Sequence, residues 1–427
     1  TSLMDLITSQ ENIQLAYRNL KKNDGSYTAG VDGKNIEYLQ KWEMNKLISH
    51  IQKKFNNYSP QPVRRVEIPK PNGKTRPLGI PTIMDRMIQQ CILQVLEPIC
   101  EAKFHKKSNG FRPNKSTENA IAQMETLIQL SNYHIVVDID IKGFFDNVNH
   151  PKLLKQIWTL GIRDKKLISI ISSMLKAEVR GIGIPENGTP QGGILSPLLS
   201  NIVLNELDWW IASQWEFFPL EENKRKNKNY YLKNSKLKRC YIVRYADDFK
   251  IICKKKSDAE KLFIATKKWL KERLGLETSP EKSKIVNLRK HYSEFLGFKI
   301  KVKFKRKKYV IKSCISDKAK MKIKANCNKA IESIQNSKDD LDEIINIQKY
   351  NSTIIGIHNY YQIATMVCWD LGKIAYEISR TMYIKLRKRV NRKCNKVNKK
   401  GYVYERYRKE QTSTIFIRAN SCSTWLC

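Results

Sequence analysis

Two apolar stretches, each interrupted by carboxylates, restrict the fold of this chain more than any other feature. The first, H-I-V-V-D-I-D-I at residues 134–141, alternates Ile135, Val137, Ile139 and Ile141 with Val136, Asp138 and Asp140. That is the period of a β-strand. The second, Y-I-V-R-Y-A-D-D-F-K-I-I-C at residues 241–253, reads as two short strands around a tight turn. Adjacent carboxylates repel, and a divalent cation removes that repulsion. Strand neighbours face opposite ways, so only a turn lets Asp247 and Asp248 approach one ion. Taken alone, the pair reads equally well as an ordinary Asp-rich turn. A second acidic strand changes this. Nucleotidyl transfer needs carboxylates from separate strands to hold two metal ions. One ion lowers the pKa of the attacking hydroxyl, and the other neutralises the triphosphate and the leaving pyrophosphate. Asp140, Asp247 and Asp248 are therefore the candidate catalytic and metal-binding residues. Asp138 shares a face with Asp140 and is read as a salt-bridged neighbour or a further ligand.

The charge balance names a partner class. The 427 residues carry 79 Lys and Arg against 41 Asp and Glu, a formal charge of +38. A compact fold of that charge repels itself unless a polyanion shares the load, and nucleic acid is the commonest one. Charge alone does not separate an enzyme from a binder. The ten cysteines form no C-x-x-C pair, which gives zinc no support and suits a reducing compartment. No stretch reaches the apolar length of a membrane span, and no membrane partner is expected.

Along the chain, residues 1–57 read as helices striped by Leu6, Ile7, Ile13, Leu15, Ala16, Leu47, Ile48 and Ile51. Residues 63–80 read as a β-hairpin, with Asn72-Gly73 at its tip. Helices are expected near 85–100, 195–209 and 257–274. Residues 221–239 read as a polar, basic loop. From Lys299 to Glu410 there are 29 basic and 10 acidic residues, opening on K-V-K-F-K-R-K-K. Beyond it, Ile354, Ile357, Tyr361, Ala364, Cys368, Leu371, Ala375, Ile378 and Met382 keep a helical spacing. Gly356 and Gly372 suggest more than one helix.

Read in order, D-I-K-G-F-F-D-N-V-N-H, T-P-Q-G-G-I-L-S-P-L-L-S-N-I, Y-A-D-D and F-L-G-F resemble the palm of group II intron-encoded reverse transcriptases, the maturase family. Upstream, R-R-V-E-I-P-K-P-N-G-K-T-R-P-L-G-I-P and N-G-F-R-P resemble the fingers of that family. The resemblance covers about residues 5–400. It implies an α+β, right-hand polymerase: a helical N-terminal extension with fingers over 1–130 and an antiparallel-sheet palm over 131–298. An all-helical thumb, the maturase X domain, follows over 299–410, and 411–427 is an unassigned tail.

The resemblance also assigns roles. Asp140, Asp247 and Asp248 match the family's metal ligands, which take two Mg²⁺ ions, with Mn²⁺ able to substitute. Arg64, Lys70 and Arg76 match residues that meet the dNTP triphosphate. Phe145 matches the residue that excludes a ribonucleotide 2′-hydroxyl, and Gln191 lies against the nucleotide. Lys282 stands where a general acid could serve the pyrophosphate, although Ser279 replaces the usual Asn of that motif. Arg112 supports fingers and template, or is engaged in a structural pairing. The implied function is RNA-directed DNA polymerisation together with assistance to intron splicing and retrotransposition. The implied partners are group II intron RNA, an RNA template with a DNA primer, dNTPs and target DNA, in a cytoplasmic, bacterial setting. Two rivals stay open: an RNA-binding splicing factor that does not polymerise, and a domesticated or CRISPR-associated reverse transcriptase.

Overall fold

The computed structural model describes residues 2–393 apart from 70–72, 74, 191, 219–229, 232–233 and 236. Lys70, Gln191, most of the 221–239 loop and the 411–427 tail lie outside the described residues. The chain divides into two compact units, residues 1–124 with 135–285, and residues 125–134 with 286–427.

The first unit opens on helices Leu3–Ile7, Gln10–Lys21, Ile36–Gln40 and Met44–Asn56. Ser2 and Ser9 start the first two as N-caps, accepting from the backbone N–H of Asp5 and Asn12. Of the expected stripe, Ile7, Ile13, Ala16, Leu47, Ile48 and Ile51 are buried in the core, whereas Leu6 and Leu15, each one position off the packed face, are exposed. Strands β1 (Arg64–Pro69) and β2 (Thr75–Ile80) form the expected hairpin, paired from Arg64 with Ile80 to Pro69 with Thr75. Helices Ile83–Glu101, His150–Thr159, Lys165–Leu175 and Ser196–Ser213 carry most of the remaining core.

At the centre of this unit, β3 (Ile135–Ile139) pairs antiparallel with β5 (Asp248–Cys253), and β5 pairs with β4 (Cys240–Tyr245). The sheet continues to β6 (Lys284–Asn287), in which the chain passes from one unit to the other, giving the order β4-β5-β3-β6. All five residues of β3 are buried, since helix Lys256–Trp269 packs on it. Burial pushes the thiols of Cys91, Cys100 and Cys240 up to about 12, so these cysteines act as small neutral hydrophobes.

From Asp317 to Lys393 the second unit is helical, with helices Asp317–Gln335, Asp340–Tyr361 and Val367–Lys393 around Ile323, Ile331, Ile347, Leu371, Ile374 and Ile378. Its opening departs from the all-helical expectation. K-V-K-F-K-R-K-K lies in a hairpin of β8 (Phe298–Lys305) and β9 (Lys308–Ile315), with β7 (Ser293–Phe295) beside β8. The reason is a two-residue period beneath the charge: Phe298, Ile300 and Val302 point inward, while Lys299, Lys301 and Lys303 stand between them. The apolar stripe is shared by two helices, as expected, but neither glycine marks the break. Gly356 and Gly372 lie inside helices, and the break falls at 362–366. There Thr365 exchanges hydrogen bonds with Ser313 of β9: the Ser313 N–H donates to Thr365 Oγ1 at 2.8 Å, and the Thr365 N–H to Ser313 Oγ at 2.9 Å. Partners from a strand hold the chain out of helical register, which a helix-breaking residue was not needed to do.

Candidate active site

Strand pairing sets the acidic turn. Tyr245 and Asp248 are cross-strand partners, leaving only Ala246 and Asp247 between them. Two-residue loops favour turns with positive φ, and Ala246 has φ +56°. Such a conformation costs a residue bearing a Cβ about 1–2 kcal/mol. A buried network holds it there. The Arg244 guanidinium donates to both carboxylate oxygens of Asp208 at 2.6–3.0 Å, and its Nη1 donates to Asn201 Oδ1 at 2.9 Å. The same Nη1 donates to the Ala246 carbonyl at 2.8 Å. Asn201 Nδ2 in turn donates to the Gly110 carbonyl at 2.9 Å. Gly110 lies so close to the turn that a Cβ would stand 2.2 Å from Ala246 N, so only glycine fits. The Arg244 N–H donates to the Lys107 carbonyl, and the Asn109 N–H donates to the Arg244 carbonyl. The N-G-F-R-P segment thus forms the backing of the acidic turn.

The carboxylates gather on that frame. Ile139 faces Phe249 across β3 and β5, and one further step of the same register sets Asp140 beside Asp248. The Asp248 carboxyl is held above its ordinary value by burial, and by the negative charges of Asp138, Asp247 and Asp140, against the pull of Lys250. Its side chain is still 46% exposed. Solvent still reaches it, and three neighbouring carboxylates crowd it. Asp138 is committed elsewhere: Lys250 Nζ lies 3.2 Å from Asp138 Oδ1, both side chains buried, and 3.7 Å from Asp248 Oδ1. A buried charge needs a partner, and Asp138 serves as that partner for Lys250.

Lys282 reaches the same site, its Nζ 3.3 Å from Asp140 Oδ2. The segment bearing it is tied to Asp140 by backbone: the Ser279 N–H donates to the Asp140 carbonyl at 2.8 Å, and the Asp140 N–H to Ser283 Oγ at 3.2 Å. Ser279 contributes its backbone to that bond, so a residue other than Asn can stand there.

The residues fit a hard divalent cation. Among the described residues no three His, Cys, Asp or Glu side chains converge tightly enough to enclose a metal. The donors at the turn are nonetheless all carboxylate oxygens, the preferred ligands of such ions. Like charges crowd one of them, and an ammonium group is already drawn to another. Asp140, Asp247 and Asp248 are the side chains that would hold the ion.

Phe144 and Phe145 separate into two roles. Phe144 is buried in the core, and Phe145 packs edge-on against it, 5.3 Å between centroids, while remaining partly exposed. The Phe145 carbonyl accepts from the Thr189 N–H at 2.7 Å, which ties it to the segment leading into P-Q-G-G. On the hairpin, Arg64 pairs with Ile80 and Arg76 with Ile68, so both arginines share one face. Arg64 Nε is buried without a hydrogen-bond partner among the described residues. Gly192 packs on this hairpin, where a Cβ would stand 2.6 Å from the Gly79 carbonyl. Arg112 has a structural position: its guanidinium pairs with Glu101 at 2.8 Å and donates to the carbonyls of His105 and Ser108.

Arg244, Asp208, Asn201, Gly110 and Lys250 are the residues of this site that sequence reasoning passed over. Their signal was present. Arg244 and Lys250 are charges inside apolar strands, and Asn201, Asn205 and Asp208 are buried polar residues at i, i+4 and i+7 of an apolar helix. Polar residues at core positions demand partners.

Comparison with known proteins agrees with the motifs. Residues 68–300 match the family described as reverse transcriptase (RNA-dependent DNA polymerase). The chain is similar to Protein YkfC of Escherichia coli (strain K12), 34% identical over 321 residues, covering 70% of this chain and 82% of that protein. It is similar to the group II intron-encoded protein LtrA of Lactococcus lactis subsp. cremoris, 33% identical over 403 residues, covering 82% of this chain and 64% of LtrA. Maturase-like protein 1 of Euglena gracilis is 30% identical over 186 residues, covering 42% of this chain and 38% of that protein. No helix among the described residues is long and apolar enough to cross a membrane.

Proposed function

The chain belongs to the group II intron-encoded reverse transcriptase and maturase family of RNA-directed DNA polymerases, and on that premise we propose that it extends a DNA primer on an RNA template with dNTPs at the Asp140, Asp247 and Asp248 site. The observation that carries this reading is the meeting of two acidic strands. Asp140 follows directly on the Ile139–Phe249 pair, next to which Asp248 begins β5, and the negative charges of Asp138, Asp247 and Asp140 acting on Asp248 mark a site in need of positive charge.

Asp140, Asp247 and Asp248 would hold two Mg²⁺ ions, with Mn²⁺ as a substitute. Such ions supply Lewis-acid activation of the primer 3′-hydroxyl and charge neutralisation at the phosphates. The remaining work falls to side chains. Arg64 and Arg76, on one hairpin face, neutralise and orient the triphosphate; Lys70 and Gln191 complete the nucleotide contacts. Lys282, already at Asp140, donates a proton from Nζ to the departing pyrophosphate oxygen. Phe145 stands under the sugar and excludes a 2′-hydroxyl. Primer extension on an RNA template tests this directly. Wild-type protein should incorporate dNTPs, and Phe145→Ala should narrow the dNTP-over-rNTP ratio of kcat/KM by about 10–100-fold. An unchanged ratio would remove Phe145 from sugar selection, and no extension by the wild type would remove polymerisation.

A second role rests on the basic balance from Lys299 onward and on the intron-encoded relative. The protein binds its group II intron RNA, assists splicing, and carries the intron to target DNA. Intron RNA should bind at least about tenfold more tightly than unrelated structured RNA of equal length at about 0.15 M salt. Equal affinities and equal salt slopes would reduce this to generic polyanion binding.

A further inference from the structure

Helix Val367–Lys393 buries Leu371, Ile374, Ile378 and Leu386 in the core of its unit. Its opposite side carries three large rings in the open: Trp369 is 68% exposed, Tyr376 75% and Tyr383 65%. Seven residues separate each from the next. Seven residues fall about 20° short of two helical turns, so the three rings form one stripe, spaced about 10 Å apart. None of them packs on another ring among the described residues. Lys373 and Arg380, one turn after Trp369 and Tyr376, are exposed on the same side, and neither makes an ion pair among the described residues. The nearby acidic residues, Asp370 and Glu377, are occupied by Lys320 and Lys324, each at 2.5 Å.

Single exposed aromatics need no explanation, but three in register with free cations between them do. Burying them against an apolar surface would leave Lys373 and Arg380 without counter-charge, so the occupant must carry anions, and the formal charge of +38 on the chain points to a polyanion. Nucleic acid satisfies both kinds of group, offering flat bases to the rings and phosphates to the cations. The form of the nucleic acid follows from the geometry. In a duplex the bases stack on one another and present no free face to a convex helix, whereas unpaired RNA can splay its bases outward. We propose that Trp369, Tyr376 and Tyr383 are stacking platforms for unpaired bases, and that Lys373 and Arg380 bind the phosphates between them. This deepens the RNA-partner reading and rests on it.

The test measures binding of full-length protein to a twenty-nucleotide unpaired oligoadenylate and to a twenty-base-pair RNA duplex across a salt series. Replacing Trp369, Tyr376 and Tyr383 with Ala should weaken oligoadenylate binding by about tenfold per ring engaged, with an unchanged salt slope and unchanged duplex affinity. Lys373→Gln with Arg380→Gln should instead flatten the slope by about 1.4, since each single-strand phosphate no longer neutralised accounts for ~0.7. Trp369 fluorescence should be quenched by oligoadenylate and recover in excess competitor. Wild-type protein that binds neither RNA would overturn the RNA reading itself. Intact oligoadenylate binding by the triple variant would overturn the stripe alone, and so would a stripe variant whose only change is its self-association in light scattering. The substituted positions are surface positions, and matching thermal unfolding of variant and wild type would confirm that the fold is intact.

Discussion

Asp248→Asn should lower kcat for primer extension on the order of 10³-fold, while leaving the fold at least as stable as the wild type. The two halves of this result come from one cause. Burial, and the negative charges of Asp138, Asp247 and Asp140 around it, raise the Asp248 carboxyl above the ordinary range. A neutral amide relieves that repulsion in the protein without bound metal. It also removes a charged oxygen that would hold the catalytic cation. Asp247→Asn should behave in the same way on kcat. Asp138→Asn should do the reverse, because Asp138 lies 3.2 Å from the buried Lys250. Losing it leaves that ammonium without its nearest counter-charge, a loss that costs about 3–5 kcal/mol for a buried pair. Thermal unfolding and steady-state extension, run on the three variants together, check the assignment. Retention of extension within tenfold in Asp248→Asn, or a clear drop in its melting temperature, would place that carboxylate in a structural role.

The acidic strands were legible because a period of two is hard to hide. β3, β4 and β5 form where the apolar residues recur, and the two-residue loop at Ala246 and Asp247 follows from their pairing. The hairpin of β1 and β2 was equally plain. What the sequence concealed was the partner of each buried charge. Arg244 and Asp208 are 36 positions apart and meet only after the helix Ser196–Ser213 packs on β4. Asp138 and Lys250 meet only through strand register. The β8–β9 hairpin was hidden by its own lysines, which made a strand with a buried face read as one more basic segment. The helix break at 362–366 depends on Thr365 finding Ser313, a tertiary contact that no local residue announces.

Arg244→Met should destabilise the protein by about 3–5 kcal/mol, because Asp208 is fully buried and would lose its only described ion-pair partner. The informative variant is the pair Arg244→Met with Asp208→Leu. Replacing both members of a buried ion pair with apolar side chains is often neutral, so most of the lost stability should return. Activity should not return with it. Nη1 of Arg244 donates to the Ala246 carbonyl, and without that bond the turn at φ +56° keeps only its backbone contacts and loses its side-chain support. A displacement of about 1 Å at a reacting centre can cost on the order of 10²-fold in rate, and a loss of that size in kcat is expected from the folded double variant, with dNTP KM changed by less than about threefold. Gly110→Ala reaches the same turn from its other side. Its Cβ would stand 2.2 Å from Ala246 N, so the turn must move, and kcat should fall to a similar degree. A folded double variant with wild-type kcat would show that the strands alone place Asp247 and Asp248. Loss of kcat in both variants, each still melting cooperatively, would establish the buried arginine and the glycine as the two supports of the acidic turn.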